Sequence, residues 1–359
     1  MPDLCEGVVG GVDSHEHVHH VVELDGRGRR LGDEVFPTTR VGYEQLLQWF
    51  RQFGPISAIG IESTGAYAAG LTRFLRAAAV SVIEVNQPHA HTRHRRGKTD
   101  AIDAEAAARK VLSGEATTIP KDTTGIVEAI RQLRVARDSA VKARSVALTQ
   151  VGELIITAPA ELREQFTQKT LRGRARMGLR LRLDRSRIAD PLQAAKLALH
   201  SLAARIQALD TEITELDTQL QLLVAGAAPR TTALLGVKTN NAGQLLVTAG
   251  QNLDRLRSEA AFAHLCAADP IPASSGKTNR HRLNPGGDRA ANAALYMIVV
   301  TRLRYCERTR AYAARRTLEG RSKREIIRCL KPYIAREIYH SLQADLAALG
   351  ARAGALDSA

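Results

Sequence analysis

Asp13, Glu62, Asp100 and Asp103 are the residues in this chain whose types and spacing fit chemistry best. Asp13 closes the apolar run Val8–Val12, and Glu62 closes Ala58–Ile61. Asp100 and Asp103 stand three residues apart in Lys98-Thr99-Asp100-Ala101-Ile102-Asp103-Ala104, a segment that reads as the start of a helix, so both share one helix face. Two carboxylates at strand ends and two on a helix can converge on a pair of divalent cations. Magnesium takes hard oxygen ligands and keeps some of its water, so three or four carboxylates are enough. Two such ions about 3.5–4 Å apart would align a nucleophile and relieve charge in the cutting of a phosphodiester. The plainer alternative is that Asp13 opens a turn and Asp100 caps a helix. Four acids at such places in a basic chain favour chemistry, and Glu105 is the neighbour most easily mistaken for one of the set.

A second constellation is Pro270-Ile271-Pro272-Ala273-Ser274-Ser275-Gly276-Lys277-Thr278. Alone, a Ser-Gly loop is usually a flexible connection. Here Lys277, Arg280, His281, Arg282 and Arg289 surround it with donors suited to phosphate. Nearby cations lower the cost of an alkoxide, so Ser275 is a candidate nucleophile on phosphorus, with Ser274 the one-residue alternative. Gly276-Lys277-Thr278 resembles the end of a nucleotide-binding P-loop, but Ile271 stands where that pattern needs its first glycine, which excludes ATP binding.

Elements must position these residues. Gly7–Val12 reads as a strand, His17–Leu24 as a second, and Asp25-Gly26 as a hairpin turn into a third over Arg29–Phe36. Val41–Phe53 has helical spacing, Ala58–Glu62 is a fourth strand, Ala66–Ala78 a helix, Val80–Val85 a fifth strand and Asp100–Leu112 a helix. That order is the order of the ribonuclease H-like (RuvC-like) fold, in which the first and fourth strands are neighbours. His15, His17 and His19 would share a strand face, with the outer two too far apart to reach one ion. They read as half-exposed strand residues, with His15 near enough to Asp13 to touch a phosphate. Tyr67 reads as core packing.

Beyond Pro120, Ile126–Ala158 and Leu192–Val224 are long and apolar on one stripe, which predicts an antiparallel coiled coil and supports a homodimer or tetramer. Leu171–Arg187, between them, holds seven arginines and one acid, Asp184. From Pro229 the pattern is short helices, broken at 268–288 and followed by two basic helices over Arg289–Arg316 and Ser322–Leu349, with a frayed tail. The expected architecture is α/β plus α: a catalytic domain over 1–118, a coiled-coil region over 119–228 and a mainly helical domain over 229–359.

The formal net charge of +14 across 359 residues, with pI near 10.0, points to a polyanionic partner. Arg93, Arg95, Arg96 and Lys98 precede the Asp100 helix, where they would guide a strand to the metals. Arg302–Arg328 carries ten Lys or Arg against three acids, another expected nucleic-acid surface. No stretch approaches the roughly 18 apolar residues of a membrane span. The start, Met1-Pro2-Asp3-Leu4-Cys5-Glu6, lacks a signal-peptide pattern, so a cytoplasmic location is expected. Cys5, Cys266, Cys306 and Cys329 are scattered, which argues against a zinc ribbon or a disulfide framework.

The run of motifs Gly11-Val12-Asp13-Ser14-His15, Glu62-Ser63-Thr64-Gly65-Ala66-Tyr67, Val85-Asn86-Gln87-Pro88, Lys98–Ala104 and the Ser-Gly-Lys loop resembles the DEDD transposases of bacterial insertion sequences. Better-studied members of that family are bridge-RNA-guided recombinases. The resemblance implies a RuvC-like domain, a coiled-coil insertion and a C-terminal transposase domain. It implies that Asp13, Glu62, Asp100 and Asp103 hold two Mg2+ ions and that Ser275 forms a phosphoserine link to DNA. DNA, as donor and target, and a guide RNA are the implied partners. The chain departs from the family at Leu235-Gly236-Val237-Lys238, which lacks a second glycine, and at Asn284-Pro285-Gly286, where a basic residue commonly precedes the glycine. Two other readings remain: a RuvC-like structure-specific endonuclease with water as nucleophile, and a nucleic-acid-binding protein without catalysis.

Overall fold

A computed structural model describes residues 7–62, 64–85, 99–168, 170–277 and 281–357. The strands β1 (Val8–Ser14), β2 (Val18–Leu24), β3 (Arg30–Pro37), β4 (Ile56–Glu62) and β5 (Val82–Val85) form one sheet in the order β3-β2-β1-β4-β5. The first three are joined by hairpins and pair antiparallel. β1 with β4 and β4 with β5 are parallel, which requires crossovers, here α1 (Arg40–Arg51) and α2 (Ala69–Ala77). This mixed sheet is consistent with a ribonuclease H-like domain.

β1 is the middle strand and is covered on both faces, so Val8-Val9-Gly10-Gly11-Val12 shows no polar alternation. On one face Val12, Val21, Ile59 and Ile61 pack with Leu46, Leu47 and Phe50 of α1 and Leu71 and Leu75 of α2. On the other, Val9, Val22 and Ala58 pack against α3 (Asp100–Leu112) through Ala104, Ala107, Ala108 and Val111. Two glycines set the distance there. A Cβ at Gly11 would lie 2.0 Å from the Ala104 carbonyl oxygen, and one at Gly60 would lie 2.8 Å from that of Ala107. Glycine opposite alanine lets the helix backbone rest almost directly on the sheet.

The segment from Thr117 to Val127 is a strap between units. Glu84 N–H on β5 donates to the Thr118 carbonyl at 2.8 Å. Lys121 Nζ donates to the Val247 carbonyl at 3.1 Å, Asp122 N–H to Asn252 Oδ1 at 2.9 Å, and Arg257 Nη2 to the Thr117 carbonyl at 3.1 Å.

Next come α4 (Gly125–Thr157), α5 (Ala160–Arg163), α6 (Leu171–Gly178) and α7 (Pro191–Ala227). With 33 and 37 residues, α4 and α7 are about 50 and 55 Å long. Arg137 pairs with Asp217 and Arg144 with Asp210, both at 2.7 Å, so the helices run antiparallel side by side. At one end Ile130, Leu220 and Val224 merge with the C-terminal core. At the other, Val151, Ile155, Leu162, Phe166, Ala175 and Leu199 form a small core of their own.

The C-terminal part contains α8 (Pro229–Ala233), α9 (Thr239–Ala249), α10 (Glu259–Leu265), a hairpin of β6 (Ile271–Pro272) and β7 (His281–Arg282), α11 (Arg289–Tyr305), α12 (Glu307–Leu318) and α13 (Lys323–Asp357). The helix expected over Arg289–Arg316 is two: Cys306 is extended (φ −103°, ψ 116°) and caps α12. The tail expected to fray continues α13 to Asp357. Among the described residues no helix is long and apolar enough to cross a membrane.

Candidate metal centre and serine hairpin

The parallel register sets Val12 beside Ile61, so Asp13 and Glu62 follow at the same end of neighbouring strands. Side chains alternate along a strand, and Gly11 and Gly60 face α3. Asp13 and Glu62, two residues further on, therefore face α3 as well. Ser14 Oγ donates to the Glu62 carbonyl at 3.1 Å and ties the strand ends together.

The helix supplies the other acids. Thr99 is its N-cap, with its hydroxyl oxygen accepting from the Ile102 N–H. Asp100 and Asp103 fall in the first turn, where the open backbone N–H groups favour negative charge. Asp103 is buried with Glu62, whereas Asp100 is exposed. Glu105, the possible substitute in the set, instead pairs with Arg109 at 2.7 Å and Arg30 at 3.7 Å.

His15 lies between the two sources of acid. Its Nε2 is 3.2 Å from Asp13 Oδ2 and 3.4 Å from Asp100 Oδ2. One ligand atom from each of Asp13, His15 and Asp100 fits within 4.8 Å of the others. Burial raises the Asp13 carboxyl above the ordinary aspartate range; His15 opposes that rise, and the Asp100 and Asp103 carboxylates add to it. Carboxylates crowded this way repel one another, and a divalent cation is the natural relief. Carboxylate oxygens suit Mg2+ or Mn2+, and the imidazole leans toward Mn2+, so the donors fit a divalent cation.

Other histidines depart from expectation. His15 and His17 sit in the turn between β1 and β2, off the strand. His19 is fully buried, stacks on Tyr43 with ring centroids 5.8 Å apart, and has its pKa lowered to about 4 by burial and by His15. It is a core residue. Tyr67, expected in the core, is 57% exposed in the turn before α2.

Ser275 is exposed between β6 and β7. Lys277, Arg282 and Arg289 are also exposed, as a phosphate-facing role requires. Arg280, Arg93, Arg95, Arg96 and Lys98 lie outside the described residues. No hydrogen bond or ion pair among the described residues joins Ser275 to Asp13 or Asp100. The return from the hairpin is built by Asn284-Pro285-Gly286-Gly287-Asp288. Asn284 Nδ2 donates to the His264 carbonyl at 3.0 Å, and Asp288 caps α11 by accepting from the Ala290 and Ala291 N–H groups.

Beside the hairpin is a cleft of about 1040 Å3. Arg282, Arg289, Arg316, Arg321, Arg328 and Lys331 line it, against Asp269 and Glu325. Lys331 Nζ donates to Asn292 Oδ1 at 2.6 Å; burial and Arg328 lower the Lys331 pKa. The charge of this region was readable in sequence, but its placement against the hairpin required the fold. Arg302, in the same basic segment, is buried. It donates to the Leu235 carbonyl at 2.8 Å and to both carboxylate oxygens of Glu337 at 2.6 and 3.0 Å. It is an internal anchor rather than a contact surface.

Comparison with known families agrees with this layout. A family model described as transposase, of the DEDD IS110 type, matches residues 10–155, the stretch with all four acids. A second, described as transposase of the IS116/IS110/IS902 family, matches residues 230–314, the stretch with the serine hairpin. No curated protein matches the chain. The two family matches together span more than half of the sequence, on the two parts that hold the acids and the hairpin, and the chain belongs to the DEDD transposase family of insertion sequences as a DNA transposase.

Proposed function

We propose that this transposase cuts and rejoins DNA through a covalent serine link, with Asp13, Glu62, Asp100 and Asp103 as the metal ligands and Ser275 as the nucleophile. The observation that carries the reading is the meeting of Asp13 and Asp100 around His15, in a pocket whose own carboxylates repel. Two Mg2+ ions bound there would polarise the scissile phosphate and stabilise the charge that builds on its oxygens. The serine Oγ–P bond forms as the bridging P–O bond breaks, the leaving oxygen takes up a proton, and the serine proton passes to water. One phosphodiester replaces another, so no nucleotide hydrolysis is needed. Lys277, Arg282 and Arg289 hold the strand beside the hairpin; Arg280, Arg93, Arg95, Arg96 and Lys98 extend that surface.

Ser275 and the acids lie in separate parts of the fold, and we take the working assembly to be a homodimer or tetramer. The paired α4 and α7 helices act as its coiled coil, between domains over 1–118 and 229–359. A structured guide RNA selects the DNA, and RNA recovered with the purified protein would be sequenced to identify it.

The test is adduct trapping on a cleavable DNA. Wild type and Ser274→Ala should yield a protein–DNA link that maps by peptide mass spectrometry to Ser275. Ser275→Ala and Asp13→Ala should each yield none while still binding DNA. A mixture of those two variants should regain the link if one copy supplies acids to another's hairpin. Cleavage by wild type without any adduct would replace this reading with the water-dependent RuvC-like endonuclease.

A further inference from the structure

The seven arginines of Leu171–Arg187 take no part in the site described above. With one acid among them they hold nearly half of the chain's net charge of +14 in 17 residues. They are not on a loose loop. α6 is capped by Thr170, whose hydroxyl accepts from the Gly173 N–H, and Ala175 is buried with Leu162, Phe166 and Leu199. A 3-10 turn at Arg185–Arg187 is capped by Asp184. The result is a folded head at the far end of α4 and α7.

Arg172, Arg176, Arg180, Arg182, Arg185 and Arg187 are all exposed on that head. Arg187 is paired with Asp190 at 2.9 Å, and Arg172 stands 4.0 Å from Asp210. Arg176, Arg180, Arg182 and Arg185 make no ion pair among the described residues. Solubility does not require charge gathered in one place, and like charges held together repel. The arrangement fits a polyanion that passes the head.

We propose that this head grips the phosphate backbone of duplex DNA flanking the reacting site. The proposal rests on DNA being the substrate of this transposase, but not on the serine chemistry. Two further observations set the partner's form. Phe166, the sole aromatic residue between 159 and 190, is buried, so the head offers no ring on which unpaired bases could stack. Arginine forks recognise phosphate oxygens without reading sequence. The distance is set by α7: from Pro191 at the head to Val224 in the C-terminal core is about 50 Å at the rise of an α-helix. That is the length of about 15 base pairs at 3.4 Å per step.

The test compares two duplexes with the same reacting site, one with flanks of about 8 base pairs and one with flanks of about 30, the lengths being chosen to fall short of and beyond that reach. Wild type should bind the long duplex at least about tenfold more tightly, with a steeper dependence of log K on log salt by about 3–4, since each phosphate contact adds about 0.9. The combined variant Arg176→Ala, Arg180→Ala, Arg182→Ala, Arg185→Ala should bring the ratio close to one. The same four positions changed to Lys should keep most of it, which separates lost charge from a lost head. Thermal melting checks that both variants fold. Three results would overturn the proposal: no preference for long DNA in wild type, an alanine variant that keeps the preference, or an equal loss on both duplexes. A fourth is a preference that appears with duplex RNA and not with DNA. No cleavage enters the assay, so failure of the serine link would leave this result standing, and the reverse holds too.

Discussion

Gly11→Ala should disable cleavage without touching any of the four acids. The added Cβ would lie 2.0 Å from the Ala104 carbonyl oxygen and 2.6 Å from the Ala108 nitrogen, both backbone atoms of α3. No side-chain rotation removes such a clash. For the first contact to reach an ordinary 3.4 Å, α3 must withdraw from the sheet by about 1.4 Å. Asp100 and Asp103 in its first turn then move with it, while Asp13 and Glu62 stay on the strands. A misplacement of about 1 Å in a reacting geometry costs about a hundredfold in rate. The strain itself should cost about 1–3 kcal/mol, against a typical domain stability of about 5–15 kcal/mol, so most of the protein stays folded. The assay measures strand cleavage in Mg2+, metal affinity by calorimetry and DNA binding, each beside Gly226→Ala, where a Cβ meets nothing within 4 Å. We expect cleavage to fall at least about a hundredfold with weakened metal binding, and DNA affinity to hold. A folded Gly11→Ala protein that cuts and binds metal like wild type would refute the claim that close approach of α3 assembles the centre.

Two further predictions concern His15 and Glu23. With an imidazole nitrogen beside the Asp13 and Asp100 oxygens, Mn2+ should bind more tightly than Mg2+, and His15→Ala should narrow that preference; calorimetry showing the same ratio in both proteins would remove His15 from the ligands. Glu23 on β2 is fully buried, with neither carboxyl oxygen hydrogen-bonded, and burial pushes its pKa up to about 9 from 4.5. Between those values the folded state holds a proton that the unfolded state releases, so stability falls as pH rises through that window. Thermal melting from about pH 5 to about pH 8.5, inside that window, should show the decline in wild type and a flatter curve in Glu23→Gln; parallel curves would contradict it.

The sheet, and the places of the four acids at strand ends and a helix start, were legible in sequence because each depends on short-range patterns. Strand ends and a spacing of three are local signals, whereas the helix cap is Thr99 and not Asp100. The reading that placed acids on the strand ends and the helix start passed over the glycines that let α3 lie against the sheet, although Gly11-Val12-Asp13 and Gly60-Ile61-Glu62 repeat one pattern: a glycine under the helix, then an acid two residues on. His19 and Tyr67 were misread because burial is a tertiary property. One histidine nitrogen pair went under Tyr43, and a tyrosine next to a helix was left outside. The break at Cys306 carries neither glycine nor proline, so nothing local announced it. The cations that line the cleft come from β7, α11, α12, the turn after it and α13, and only folding gathers them beside one hairpin.

The strap from Thr117 to Val127 also has a consequence in time. Lys121, Asp122 and Thr117 meet partners 126, 130 and 140 residues further along the chain. A chain leaving the ribosome completes the sheet and α3 long before those partners exist. At about 5–20 residues per second, the 126 to 140 residues in between take roughly 6–28 s to make. During that interval the nascent protein owns its acids but neither a fastened strap nor a serine hairpin. Synthesis itself therefore separates the acids in time from the hairpin of the proposed nucleophile.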